Sequence, residues 1–367
     1  MPLIEIHRPR IDPPGSGVTV RAPSRLRRMN RQQRLGQLMQ HRGVDAVVLR
    51  RPANFAWYTG GADSKIDHVA PEGVADLIVT ADSQLVLTST IEAPRMRAEQ
   101  TPDIEVVEYS WYEDRGSALR DVLGDARAGS DSGLAHTVDL SDEIARLRWT
   151  LDPDAVESLR AVGRDTTSAM AEAAATVEAG MTEHEAAAEL SAACRRRGLT
   201  ATVLLAAADD RIALHRHPVP VGAEIERRAM LVASAERGGL YANLTRIVEL
   251  DEPGPGLARR MRACEEILAR MREEATRPGR TLAEAFADCR GFYADAGFAD
   301  EWRLHHQGGV TGYGSRELIV TPRSDHVIEP GQAFAWNPSV TGAKAEETFV
   351  LTPTGPESVT GSTLAAV

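Results

Sequence analysis

The sequence predicts two domains of different class: an α/β domain over residues 1–150 and an α+β domain with an internal repeat over residues 151–367. Three observations carry that prediction. The chain has 367 residues, more than one hydrophobic core usually serves. Its first part alternates helical and strand patterns. Its second part repeats a helix motif at an offset of 99 residues, with Gly180 matching Gly279 and Thr182 matching Thr281.

In the first domain, residues 24–43 place Leu26, Met29, Leu35, Leu38 and Met39 near helical spacing. Strand patterns follow at DAVVLR, ADLIVT and QLVLTST, with turns between them. Near Thr150 the pattern changes. Asp152 suits a helix cap and Pro153 the first position of a long helix. Each repeat copy then reads as a Gly–x–Thr helix start, an amphipathic helix and a terminating glycine. The copies are AGMTEHEAAAELSAACRRRGL from Ala179 and PGRTLAEAFADCRGFYADAGF from Pro278. Glu185 matches Glu284, Ala186 matches Ala285, and Gly198 matches Gly297. Alanine-rich helices resemble one another by chance, but an identical Gly-to-Gly spacing favours duplication. A His-rich element follows each copy, LHRHP or LHHQGG. Two halves about a pseudo-twofold axis would bring both to one cleft.

Composition narrows the function. A net charge of −11 argues against nucleic acid and anionic membrane as partners. Cys194, Cys264 and Cys289 lie in helix-like segments without metal-type spacing, which reads as a cytoplasmic chain without disulfides. No apolar run reaches spanning length, and the N-terminus lacks a signal-peptide core. The first 50 residues carry ten Arg and read as a solvated arm or as one that docks on a partner subunit.

Chemistry concentrates in three places. Gln332–Leu351 reads as a hairpin in which Asn337, Lys344, Glu346 and Glu347 interrupt strand formers. Lys344 and Lys65 are the only lysines among 42 Lys plus Arg. Lys is a compact donor whose pKa moves on burial, so a retained Lys points to a pocket that uses a small cation. HRHP, residues 215–218, would place His215 and His217 on one face of a strand, where they could bind metal, bind substrate or move protons. In HHQGGVTGYGSRE, residues 305–317, four glycines allow backbone to approach a ligand. His305, His306, Tyr313, Arg316 and Glu317 supply donors and acceptors around that backbone. The Lys–Ser/Thr pair of a phosphate loop is missing.

Residues 150–360 resemble the creatinase, prolidase and methionine aminopeptidase superfamily, whose catalytic domain has the pita-bread fold. The landmarks run in family order: RLRWTLDPDAVESLRAVGRDTTSAM, GMTEHEAAAEL, LYANLTRIVEL, VIEPGQAFAWNPSV and AKAEETFVLT. The part containing NFAWYTGG resembles the smaller domain of creatinase and prolidase. The resemblance implies a pita-bread catalytic domain behind a creatinase-like one. The metal-dependent members hold two ions with two Asp, one His and two Glu. Those positions fall here at Val232, Asn243, Val310, Asn337 and Glu346. A shift of a few residues across HHQGG would bring His305 or His306 near the His position.

These departures imply a metal-independent site with no cofactor, as in creatinase. The resemblance makes His215 the general acid/base, with His306 as the alternative, and Glu346 or Glu317 as its orienting carboxylate. It makes His217, Asn243, His305, Tyr313, Arg316, Glu317, Asn337 and Lys344 substrate-binding. It also implies a homodimer in which Lys65, with Asp63 and His68, completes the partner's pocket. The expected activity is hydrolysis of a C–N bond in a small amino-acid-like, amide or amidine substrate. A metal-free lyase or cyclase, or a non-catalytic binding protein, are the alternatives.

Overall fold

The computed structural model describes residues 25–361, with side chains from Arg31 onward. The Arg-rich segment before residue 25 and the side chains of Leu26 and Met29 lie outside the described residues. Helix α1 (Arg25–Arg42) leads into strand β1 (Ala46–Leu49), and α2 (Pro52–Thr59) carries NFAWYT. Then come β2 (Ala75–Thr80), β3 (Gln84–Ser89), the single turn α3 (Ala93–Arg95), β4 (Glu105–Tyr109) and α4 (Arg115–Leu123). Strands β5 (Ala128–Ser130) and β6 (Val138–Asp139) precede α5 (Ser141–Trp149). The six strands form one mixed sheet in the order β4-β3-β2-β1-β5-β6. Every residue of β1 is buried, as a continuous apolar run in a central strand requires.

The second half opens with α6 (Pro153–Thr176), where Asp152 accepts from the Ala155 N–H and Pro153 needs no amide partner. It continues with α7 (Glu183–Arg196), β7 (Thr200–Ala208), α8 (Arg211–Leu214), β8 (Arg228–Arg237) and β9 (Leu240–Glu249). Strands β7, β8 and β9 make a three-stranded antiparallel sheet. Helices α9 (Pro255–Arg270) and α10 (Leu282–Asp295) lead to β10 (Gly308–Thr311) and β11 (Leu318–Ile319). Five short strands close the described chain: β12 (Ala333–Trp336), β13 (Ser339–Val340), β14 (Ala343–Lys344), β15 (Glu347–Thr352) and β16 (Gly355–Ser358). The second sheet runs β11-β10-β12-β15-β16.

The repeat is visible atom by atom. Thr182 and Thr281 each close a capping box, with Glu185 and Glu284 as the reciprocal acids. The glycines two residues earlier, Gly180 and Gly279, both sit at φ +88°. Their N–H groups donate to Ile225 and Ile328 carbonyls at 2.8 and 2.9 Å. Cys194, Cys264 and Cys289 are buried free thiols on α7, α9 and α10. No described helix is long and apolar enough to cross a membrane.

The expected hairpin exists, with an addition. Ala333–Trp336 pairs with Glu347–Val350 in register, and the chain between them makes a small hairpin of its own, β13 on β14, around Gly342. That inserted loop carries Asn337, Lys344 and Glu346 out of the ladder, and Glu346 meets Thr245 of β9. HRHP is not a strand. Residues 215–218 are irregular chain after α8, with Pro218 and Pro220 denying the amides a ladder needs.

Candidate active site

Glu346 lies at the centre of the buried polar cluster. Its carboxylate accepts from Lys344 Nζ at 2.9 Å, from Arg316 at 2.7 Å and from Thr245 Oγ1 at 2.6 Å. All three ionic side chains are largely buried. Burial would raise the Glu346 carboxyl, but Lys344 and Arg316 outweigh it and hold the group well below the usual carboxylate range.

Three histidines come together beside this ion cluster. His305 and His217 approach Nε2 to Nε2 at 3.0 Å. The ring centroid of His306 lies 4.6 Å from that of His305 and 5.5 Å from that of His217. One nitrogen from each of the three lies within 4.8 Å of the others, a grouping able to hold a metal ion. Burial, with Lys344 adding to it, pushes His305 down to about 2. Burial and Arg316 push His306 down to about 4, and burial and Lys344 lower His217. All three imidazoles are therefore neutral near pH 7. Among the charges that bear most on them, Glu346 is the one carboxylate, against Lys344 and Arg316.

Local structure explains these positions. Gly308 sits at φ +93°, and a Cβ there would meet the Ala335 carbonyl oxygen at 2.0 Å, so only glycine lets β10 close against β12. Gln307 Nε2 donates to the His305 carbonyl, and Tyr293 donates to Gln307. Ser339 Oγ lies 3.2 Å from His305 Nδ1. His217 is held through its neighbours: Arg216 reaches Glu301 at 2.6 Å and Thr341 at 3.0 Å. Buried Glu183 accepts from the Val221 N–H and from Arg211, pinning the loop on its other side. Sequence reasoning missed Ser339, Arg216 and Glu183. The only signal was their nearness to WNPS, HRHP and the repeat's capping box.

The other expected residues divide. Asn243 lies in the cluster, accepting from Ser234 and donating to Thr311 at 3.2 Å. Asn337 is buried, and its Oδ1 has no hydrogen-bond partner among the described residues. His215 is exposed and stands outside the histidine group. Tyr313 is a core residue, packed so closely on Gly239 that a Cβ there would lie 3.0 Å from its ring. Burial raises its phenol to about 12. Glu317 forms a two-pronged pair with Arg148 at 2.9 and 2.6 Å, and Arg148 also donates to Asn54. Lys65 pairs within its own chain with Glu236 at 3.2 Å and Asp63 at 3.3 Å. Within one chain, Glu317 and Lys65 are thus engaged in ion pairs and Tyr313 in the core.

Residues 157–353 match the model described as metallopeptidase family M24, and residues 31–162 match the creatinase/prolidase N-terminal domain. The chain belongs to metallopeptidase family M24. It is 25% identical over 230 residues to the probable dipeptidase PepE of Mycobacterium tuberculosis, an alignment covering 60% of each chain. The alignment thus spans less than two thirds of that relative's length. Its fold is that of a dipeptidase from Pyrococcus horikoshii, with a TM-score of 0.77 and 19% identity over 91% of this chain and 98% of that one. It is also that of the prolidase from Pyrococcus furiosus, with a TM-score of 0.74 and 19% identity over 89% and 99%.

Membership of a metallopeptidase family overturns the expectation of metal-independent hydrolysis. That expectation took the loss of family ligands to mean the loss of metal. The five family positions themselves do not suit a pair of divalent ions. Val232 and Val310 are buried apolar side chains, and Glu346 is the single carboxylate, already bound by two cations. The Lys344 ammonium thus occupies a carboxylate oxygen that a metal would need.

Proposed function

We propose that this protein hydrolyses the amide bond of a small, dipeptide-sized substrate bearing a carboxylate. The observation that carries the reading is the charge balance of the buried cluster. Lys344 and Arg316 face one carboxylate, Glu346, beside three neutral imidazoles. A buried excess of one positive charge is costly without a counter-ion. A substrate carboxylate supplies that counter-ion. Asn337 Oδ1, a buried acceptor without a partner, would take a substrate N–H. The PepE relatives, named as probable dipeptidases, support the size and the bond type.

Lys344 and Arg316 would hold the carboxylate and stabilise negative charge that develops on the carbonyl oxygen. Glu346 would fix the two cations in place. A divalent ion would supply Lewis acidity toward the carbonyl. Three buried free thiols support a reducing, cytoplasmic setting. Exposed Ile66, Val69, Ile91, Trp111 and Tyr112 on the first domain support a homodimer, which light scattering would size.

A panel of dipeptides, N-acyl amino acids and amidines, incubated with Zn²⁺-, Co²⁺- or Mn²⁺-treated protein and read by product mass, tests the activity. Release of a free amine from a carboxylate-bearing amide supports it. Binding of such compounds without cleavage under every metal would leave a binding protein and sink the hydrolase.

A further inference from the structure

The three-histidine group is made of residues other than the five family positions, although it lies beside one of them, Glu346, and its donor set differs from theirs. Ligation needs neutral imidazoles with lone pairs converging on one point. In the tautomer whose Nδ1–H donates to Ser339 Oγ, His305 Nε2 accepts from His217 Nε2–H at 3.0 Å, and an ion would displace that proton. Ligand nitrogens around a tetrahedral Zn²⁺ with bonds of ~2.0–2.1 Å lie roughly 3.3 Å apart. The His217–His305 pair is therefore close to ligand spacing. The widest separation in the group is within 4.8 Å, so the third ring need swing in by little more than an ångström. His306 would give up the 3.2 Å contact in which its Nδ1 accepts from the Gly308 N–H.

We propose that His217, His305 and His306 bind a single Zn²⁺-class ion, with Ser339 orienting His305. All-nitrogen ligation favours Zn²⁺, Co²⁺ or Ni²⁺ over Mg²⁺ or Mn²⁺. Three protein ligands leave a fourth position open. The hydrogen bond to Ser339 is the outer contact that fixes the ligand tautomer. Lys344 and Arg316 oppose a dication at this distance, while Glu346 favours it, so the neighbouring charges tune its affinity. The site stands on ligand geometry and not on the hydrolase reading. A bound ion without turnover would leave it in place and remove that reading. Turnover with no ion at these imidazoles would remove the site alone.

Titration of the apo full-length protein with Co²⁺, followed by visible absorption and calorimetry, tests the site without an activity readout. One ion per chain is expected, with the intense d–d bands of a four-coordinate site, displaced by Zn²⁺. His305→Ala or His217→Ala should abolish the bands, with circular dichroism unchanged. Ser339→Ala should weaken binding about 10–100-fold. Lys344→Met should tighten it about tenfold, since it removes the opposing charge; a merely structural histidine cluster would not respond. His215→Ala is the neutral control. Two ions per chain, or one unaffected by His305→Ala and His217→Ala, would overturn the assignment, as would no binding at all.

Discussion

Arg316 and Glu317 are neighbours in sequence and serve different regions of the molecule. Arg316 turns to Glu346 in the polar cluster, whereas Glu317 turns to Arg148 on α5, beside Asn54 on α2. The first pair sits among groups that remain unsatisfied or unbalanced: an unpartnered Asn337 oxygen and an excess cation. The second pair is complete. Arg148 fills both Glu317 oxygens and Asn54, and Asn54 in turn donates to Asp131. Satisfied polar networks hold structure in place, and unsatisfied buried groups call for water, an ion or a ligand. Both networks are ionic and buried, so charge content alone does not distinguish a site from a joint.

The largest expected effect breaks the joint. Glu317→Ala leaves the Arg148 guanidinium buried and unpaired, and should lower unfolding free energy by about 3–5 kcal/mol. Thermal and denaturant unfolding would show it, and a change below about 1 kcal/mol would erase the contrast drawn here. A change in the cluster should act on ligand instead. Lys344→Met should raise KM for a carboxylate-bearing amide about 10–100-fold, the worth of one charge-assisted hydrogen bond. An equal loss against the matching neutral amide would show that Lys344 does not read the carboxylate.

Lys65 gives a smaller, pH-dependent effect at the joint. Burial would lower its pKa, but Glu236 and Asp63 raise it above the ordinary 10.5. Its pairing therefore stabilises the fold fully below the unfolded value near 10.5 and loses that contribution as pH rises through the folded value. Lys65→Met should be less stable than wild type at neutral pH, with the gap closing above about pH 10.5. A gap independent of pH to the end of the alkaline range would count against the ion pair. The smallest effect belongs to His215, which is exposed and lies outside the histidine group, whereas the likewise exposed His217 lies in it. His215→Ala should leave kcat/KM within about twofold, whereas His217→Ala should cost about 10²-fold or more. The reverse order would restore His215 as the catalytic group.

Much of the fold was legible because its signals are local. The capping boxes at Thr182 and Thr281, the αL glycines before them and the cap at Asp152 are each written within four residues. Lys344 and Glu346 stood out in the sequence as neighbours for the same reason, since a single residue of chain separates them. Other assignments depended on where distant chain returns. Tyr313 reads as a polar donor until Gly239 brings the β8–β9 turn against its ring. Nothing near Lys65 in sequence shows that Glu236 meets it from 171 residues away.

By itself, then, the sequence determined the family, the duplicated half and the residue types of the pocket, because pattern and spacing are properties of neighbours along the chain. Only the tertiary structure decided which of two adjacent charges faces the site, and which of two histidines in HRHP meets His305. Alternation along a strand would have settled the first choice but would have put His215 and His217 on one face, and both segments are irregular chain. There the direction of a side chain is set by anchors outside the segment: Arg148 for Glu317, Glu346 for Arg316, and Glu301 and Glu183 for the loop that carries His217.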